Sequence, residues 1–327
     1  MESDTDLRRT VAAVLSSVWP GESFAEVPVE RIPAYAMSMQ TGLDADCVIV
    51  RAAGRRLVIK LYHDELPAAP DHAIAAKAME VAADAGLSPR MIAHLPEARS
   101  IVSELAPEGW RTAMRPDFDD PEIRHRTMAL VRQWHAVGRT AALRPPWEFI
   151  ETVLRALDAF STSGRPLCHL SAPEDYSALR ASYDALIRIM AASPQRPVTL
   201  HGDVLASNLL LGSDGQMMLV DFDRVAVGDP QWDVAGLALA FDTPDSDLPE
   251  LLDACSLPAS DGDVERLRAN MIVQDIGWGM WARLAHFLSP RRDIEFFKYG
   301  ETRLARARGK LAVKAAERRG PVHDRRG

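Results

Sequence analysis

The apolar positions of this chain change period along its length. Leu7, Val11, Val14, Leu15 and Val18 recur every three or four residues, the spacing of one helix face, and Pro20-Gly21 closes the run. Between Tyr35 and Tyr62 the pattern becomes that of strands. Cys47-Val48-Ile49-Val50 and Leu57-Val58-Ile59-Lys60-Leu61-Tyr62 are short and rich in β-branched residues, with a turn at Ala53-Gly54-Arg55-Arg56 between them. The alanine-rich stretch 71–85 predicts a helix, stopped by Gly86 with Pro89 beyond. Segments 91–94 and 100–104 predict two further short strands. Beyond Ala106-Pro107 the helical period dominates, over 121–137, 146–160, 173–190, 232–240, 249–254, 264–288 and 293–316. One interruption stands out: Leu209-Leu210-Leu211 and Met217-Met218-Leu219-Val220 flank the turn Ser213-Asp214-Gly215-Gln216 and predict a hairpin. The pattern gives an α+β chain of two lobes, a sheet lobe over 1–106 and a mainly helical lobe over 107–327.

Composition narrows the class. The chain has 327 residues, 47% hydrophobic and 26% charged, as in soluble globular proteins. No apolar run approaches the roughly 18 residues a membrane span needs. The acidic start, Met1-Glu2-Ser3-Asp4-Thr5-Asp6, lacks the basic opening and apolar stretch of a signal peptide. Cys47, Cys168 and Cys255 are far apart and match no metal-ligand spacing, so reduced thiols in a cytoplasmic protein are expected. The net charge of −8 hides an asymmetry. From Arg303 to Gly327 nine Lys or Arg face only Glu317 and Asp324, a balance of +7 that leaves −15 on the rest of the chain. An acidic body argues against nucleic acid as a partner and for cationic ligands.

The candidate chemistry sits on the two ends of the hairpin. Leu200-His201-Gly202-Asp203 leads to Asn208, and Asp221-Phe222-Asp223 follows the second strand. So short a hairpin brings its ends together, so Asp203, Asn208 and Asp221 are expected in one small volume. Two carboxylates and an amide so placed suit phosphoryl transfer: one Asp receives the hydroxyl proton, while the Asn and the second Asp hold Mg²⁺ on nucleotide phosphates. Lys60 lies in an apolar strand, where an unpaired ammonium is costly, and so calls for an anionic partner.

The set His201-Gly202-Asp203-x4-Asn208 with Asp221-Phe222-Asp223 resembles the aminoglycoside phosphotransferase and choline kinase superfamily, relatives of the protein kinases. The resemblance implies a protein-kinase-like two-lobe fold, a small antiparallel-sheet N-lobe on a mainly helical C-lobe, with ATP and Mg²⁺ as cofactors. It implies Asp203 as catalytic base and Asn208, Asp221 and Asp223 as metal ligands. On the nucleotide side it implies Lys60 at the phosphates, with Glu80 as the helix partner of Lys60. Gly42 falls in the phosphate-covering turn and Glu104 in the connector that meets adenine. His201 and Asp233 are expected to brace the catalytic loop.

A second likeness covers Trp278-Gly279-Met280-Trp281 through Phe296-Phe297-Lys298-Tyr299 to Arg303, which resembles the C-terminal region of choline and ethanolamine kinases. It implies an acceptor pocket walled by Trp278 and Trp281, with Phe241 and Tyr299 as further walls, for the cationic head of a small alcohol such as choline or ethanolamine. Arg224 departs from that pattern and, pointed inward, would oppose a cationic substrate. An aminoglycoside phosphotransferase would share every catalytic residue and differ only in the acceptor pocket. A catalytically inactive nucleotide-binding protein is the reading from a different class.

Overall fold

The computed structural model describes residues 4–34, 36, 43–137, 144–162, 173–191 and 196–319. Helix α1 (Asp4–Val18) precedes the strands β1 (Val29–Ile32), β2 (Ala45–Ala52) and β3 (Arg55–Tyr62). Helix α2 (His72–Asp84), N-capped by the Asp71 carboxylate, leads into β4 (Met91–Leu95) and β5 (Ser100–Glu104). The five strands form one antiparallel sheet in the order β1-β2-β3-β5-β4.

Strand alternation divides this sheet between two tasks. Val48 and Val50 of β2 and Leu57 and Ile59 of β3 face α1, where Leu7, Val11, Val14 and Leu15 complete a buried cluster. Cys47 and Ile49 of β2 and Val58, Lys60 and Tyr62 of β3 take the opposite face and line the cleft between the lobes. Burial on the α1 side therefore fixes the register that aims Lys60 into the cleft.

The second lobe opens with β6 (Arg111–Thr112) and continues through α3 (Pro121–Val137), α4 (Glu148–Thr162) and α5 (Pro173–Ala191). Then come β7 (Val198–Leu200), β8 (Leu209–Leu211), β9 (Met217–Leu219) and β10 (Ala226–Gly228). The hairpin β8–β9 pairs Leu209 with Leu219, with β6 on its outer edge, while β10 pairs with β7. The sequence pattern missed β1, β6, β7 and β10, pieces of two to four residues too short to show a period.

Helices α6 (Gln231–Phe241), α7 (Leu248–Ala254), α8 (Asp261–Leu288) and α9 (Phe296–Arg319) finish the chain. Helix α8 is buried on nearly every side, because it separates two apolar clusters and packs closely on α9. A Cβ on Gly279 would lie 2.6 Å from Leu304, and one on Gly300 3.0 Å from the Gly279 oxygen, so glycines let these helices touch. No helix among the described residues is long and apolar enough to cross a membrane.

Candidate active site

The cleft between the lobes encloses about 710 Å³, within the range of small-molecule and cofactor sites. Its walls are the cleft face of β2 and β3, Ala75 and Met79 of α2, the connector from Glu104 to Pro107, and a floor that includes Ser207, Asn208, Asp221 and Asp223. A smaller recess of about 30 Å³ adjoins it and is lined by Asp44, Asp203, Arg224 and Trp278, sharing Lys60, Asn208, Asp221 and Asp223 with the larger cavity.

The floor is built by a braced loop. After β7, the N–H of His201 donates to Asp233 Oδ2 at 2.8 Å and that of Gly202 to Asp233 Oδ1 at 2.9 Å. His135 Nε2 lies 2.8 Å from the same carboxylate, and Trp232 Nε1 donates to the Gly202 oxygen at 3.2 Å. Gly202 adopts φ +85°, and a Cβ there would be driven into the Arg224 carbonyl, so only glycine lets the loop pass. His201 Nε2 donates to the Val220 oxygen at 3.0 Å, tying the two ends of the hairpin, and burial holds the imidazole below its usual range. His201 and Asp233 thus have the bracing geometry read from the sequence.

Asn208 closes a 3-10 turn, Ala206–Asn208. Its Nδ2 donates to Asp203 at the main-chain oxygen (2.8 Å) and at Oδ2 (3.1 Å), leaving Oδ1 for another partner. The Val220 N–H donates to the Asn208 oxygen at 3.0 Å and brings Asp221 alongside. Asp221 sits at φ +68°, a left-handed conformation that Asp tolerates better than most residues.

Lys60 belongs to the third of five strands and so is not at a sheet edge. Its Nζ reaches across the cleft to Asp221 Oδ1 at 2.7 Å and Asp223 Oδ2 at 2.6 Å. Burial disfavours the ammonium, but the two carboxylates outweigh it and keep Lys60 charged well above the usual lysine range. For Asp221 the same balance runs the other way: burial raises it, Lys60 outweighs burial, and the carboxyl lies below its ordinary range. Burial first, and the Asp221 charge second, push Asp223 up to about 7, against the pull of Lys60. Asp203 is likewise pushed up to about 7 by burial and then by Asp221, while Arg224 and Arg303 pull it down. One carboxylate held ionised beside two poised near neutrality is the division of labour that acid–base and metal-binding work requires.

Several expected residues fall elsewhere. Glu80 is exposed and pairs with Lys77 at 2.8 Å; Lys60 meets Asp221 and Asp223 instead. The reason is helical phase: Glu80 lies roughly 140° around α2 from Ala75, on the solvent side of the face that Ala75 and Met79 present to the cleft. Trp281 is fully buried against Phe296 at 5.7 Å and belongs to the core, because α8 has protein on all sides and a shared helix face is no guarantee of a shared pocket. Phe241 packs on Phe118 at 4.8 Å in the other apolar cluster, away from the recess. Gly42 lies outside the described residues.

Trp278 does line the recess. Tyr299 does not line it and is fully buried, its hydroxyl accepting from Arg303 Nε at 3.1 Å. Burial pushes Tyr299 up to about 12, with Arg303 opposing and the Asp203 charge adding. Glu104 is held by Arg90 at 3.0 Å. Its N–H donates to the Arg90 oxygen and that of Leu105 to the Arg56 oxygen, while the Ala106 N–H has no partner among the described residues.

Three contributors were not read from the sequence as site residues. Tyr62 donates its hydroxyl to Asp223 Oδ1 at 2.7 Å, and its place two residues after Lys60 on one strand face was legible. Phe149 packs on the recess residue Trp278, with ring centroids 5.2 Å apart, and nothing local to its helix signals that. Asp44 pairs with Arg224 at 2.8 Å across 180 positions of sequence.

The groups present suit Mg²⁺ and a nucleotide. Asn208 Oδ1 and Asp221 offer hard oxygen donors, and Lys60 stands beside them as a cation for phosphate. Both oxygens of Asp223 are engaged by Tyr62 and Lys60, which makes it the weaker ligand of the three expected.

The sequence profile of the phosphotransferase enzyme family matches residues 39–269. That span contains Lys60 and the whole 201–233 machinery but ends before Trp278. No curated protein sequence matches the chain. Among solved structures, choline kinase LicA from Streptococcus pneumoniae is similar at 18% identity and TM-score 0.73, over 94% of this chain and 99% of that one. Plasmodium vivax ethanolamine kinase is similar at 14% identity and TM-score 0.75, over 95% and 91%. Aminoglycoside 2'-phosphotransferase-IIIa, in a GDP complex, is similar at 12% identity and TM-score 0.61, over 93% and 99%. At such identities the likeness is one of fold, and it is the protein-kinase-like two-lobe fold.

Proposed function

The chain belongs to the phosphotransferase enzyme family, and from that premise we propose that it moves the terminal phosphoryl group of ATP, with Mg²⁺, onto the hydroxyl of a small alcohol. The observation that carries this is the meeting of Asp203, Asn208 and Asp221 on one floor, with Lys60 reaching Asp221 from the opposite lobe. The 710 Å³ cavity would take the nucleotide base, and the Ala106 N–H on its wall would be a donor for the base edge. Lys60 exchanges its carboxylate contacts for phosphate oxygens. Asn208 and Asp221 would hold Mg²⁺, which when bound would neutralise charge on the phosphates.

Asp203 orients the acceptor. The hydroxyl oxygen forms a bond to the terminal phosphorus, the bond from that phosphorus to the ADP oxygen breaks, and the hydroxyl proton passes to the Asp203 carboxylate. A carboxyl losing its proton at about 7 is matched to that task near neutral pH. The free thiols Cys47 and Cys255 fit a reducing, cytoplasmic setting.

Amino alcohols are the first acceptors to test, since fold neighbours are named as choline and ethanolamine kinases. An aminoglycoside is the alternative acceptor, since another fold neighbour is named as an aminoglycoside 2'-phosphotransferase. A coupled ADP-release screen over choline, ethanolamine, sugars and aminoglycosides tests the reading, with Asp203→Asn as the inactive control. Turnover lost in the control supports it. Tight Mg²⁺-dependent nucleotide binding without turnover on any acceptor would favour the catalytically inactive alternative.

A further inference from the structure

The sequence led to the expectation of a substrate cation between two tryptophans. The chain instead brings its own. Arg224 follows Asp223 directly, and its Cζ lies 4.8 Å from the ring centroid of Phe149 and 5.3 Å from that of Trp278. The two rings are tilted by 47° at 5.2 Å, forming the two-sided aromatic seat in which a quaternary ammonium would be held. The guanidinium is fastened there. Nη1 donates to the Ala68 oxygen at 3.0 Å and Nη2 to Asp44 Oδ2 at 2.8 Å, and the side chain is only 7% exposed. Its main chain is pinned as well, because the Arg224 carbonyl packs against Gly202. Titration offers no release, since a guanidinium stays charged at any pH the fold survives.

We propose that Arg224 is a specificity-determining residue of the acceptor site: by filling the seat of Trp278 and Phe149 with its own cation, it excludes quaternary-ammonium alcohols and restricts the enzyme to small alcohols without such a head. This rests on the phosphotransferase reading. Two cations cannot share one aromatic seat without desolvated like-charge repulsion, and Asp44, the nearest carboxylate, is already neutralised by Arg224. The seat is beside the chemistry: Arg224, Trp278 and Asp203 line the same recess, and the Arg224 charge acts on the Asp203 carboxyl. Arg224 Nε is buried and has no hydrogen-bond partner among the described residues. Choline is therefore rejected, whereas ethanolamine, whose ammonium N–H groups can pair with the carboxylates of the recess, and uncharged alcohols have no need of this seat.

The test uses the full chain with Mg²⁺ and a non-hydrolysable ATP analogue. Tetramethylammonium is titrated by calorimetry at constant ionic strength. Arg224→Ala should bind it at least about tenfold more tightly than the native protein, and Arg224→Ala/Trp278→Leu should lose that gain. Arg224→Gln, which keeps length and a donor but not the charge, is the second variant should the alanine form fail to fold. In the turnover arm, the native enzyme should leave choline unphosphorylated while transferring to another alcohol. Equal tetramethylammonium affinity in native protein and variants, or Trp278-dependent phosphorylation of choline by the native enzyme, would overturn the proposal. Absence of phosphoryl transfer to every acceptor would instead overturn the phosphotransferase reading, and the tetramethylammonium titration would still report on the seat.

Discussion

Replacing Asp203 by Asn should make the protein inactive and, at alkaline pH, more stable. The fold keeps the Asp203 proton to about 7, whereas an ordinary Asp releases it near 3.8. Folding therefore takes up a proton between those values, and native stability falls as pH rises through that window before levelling off above 7. A gap of roughly 3 units corresponds to about 4 kcal/mol of destabilisation borne by the ionised carboxylate at pH 8. Asn keeps the shape and carries no charge, so the variant escapes that penalty. Between pH 5 and pH 8 the advantage of the variant should grow by roughly 3 kcal/mol. With an unfolding entropy of roughly 0.7 kcal/mol/K for a chain this long, that is a rise of about 4 °C in the difference of Tm values. Calorimetric scans of both proteins at pH 5, 6, 7 and 8 measure it, alongside phosphoryl-transfer rates. A Tm difference that stays constant with pH would refute the burial argument for Asp203, and full activity in the variant would refute its role as base.

Three other substitutions probe the scaffold around it. Gly202→Ala drives a Cβ toward the Arg224 carbonyl at φ +85°, so kcat should drop by about 100-fold while calorimetry finds nucleotide binding retained. Asp233→Ala strands the buried N–H groups of His201 and Gly202, each worth about 1–3 kcal/mol, and should lower the urea midpoint more than any surface change. Glu80→Ala removes only an exposed pair with Lys77, so KM for nucleotide and Tm should stay within error. A large rise in that KM would restore Glu80 as a partner of Lys60.

Legibility in the sequence followed locality. The loop residues Asp203, Asn208 and Asp221 were readable because 18 positions and one hairpin join them, and strand alternation fixed the side to which Lys60 points. Helix phase was the weak link. Trp278 and Trp281 share a helix face, yet α8 is wrapped by protein, and its neighbours decide which indole reaches a recess. Glu80 failed for a related reason: being the only glutamate on its helix does not turn it toward β3. Contacts such as Arg224 with Asp44, or Phe149 with Trp278, join segments far apart and leave no periodic trace. The short strands β7 and β10 owe their existence to each other, and neither shows a pattern of its own.

The direct test of the central claim is Mn²⁺, standing in for Mg²⁺, titrated by electron paramagnetic resonance in the presence of ATP analogue with native protein and Asp221→Ala. If Asp221 and Asn208 hold the metal on the nucleotide, native protein should form a tight ternary complex, and the variant should lose at least about tenfold in Mn²⁺ affinity. Unchanged Mn²⁺ affinity in the variant would contradict the account at its root.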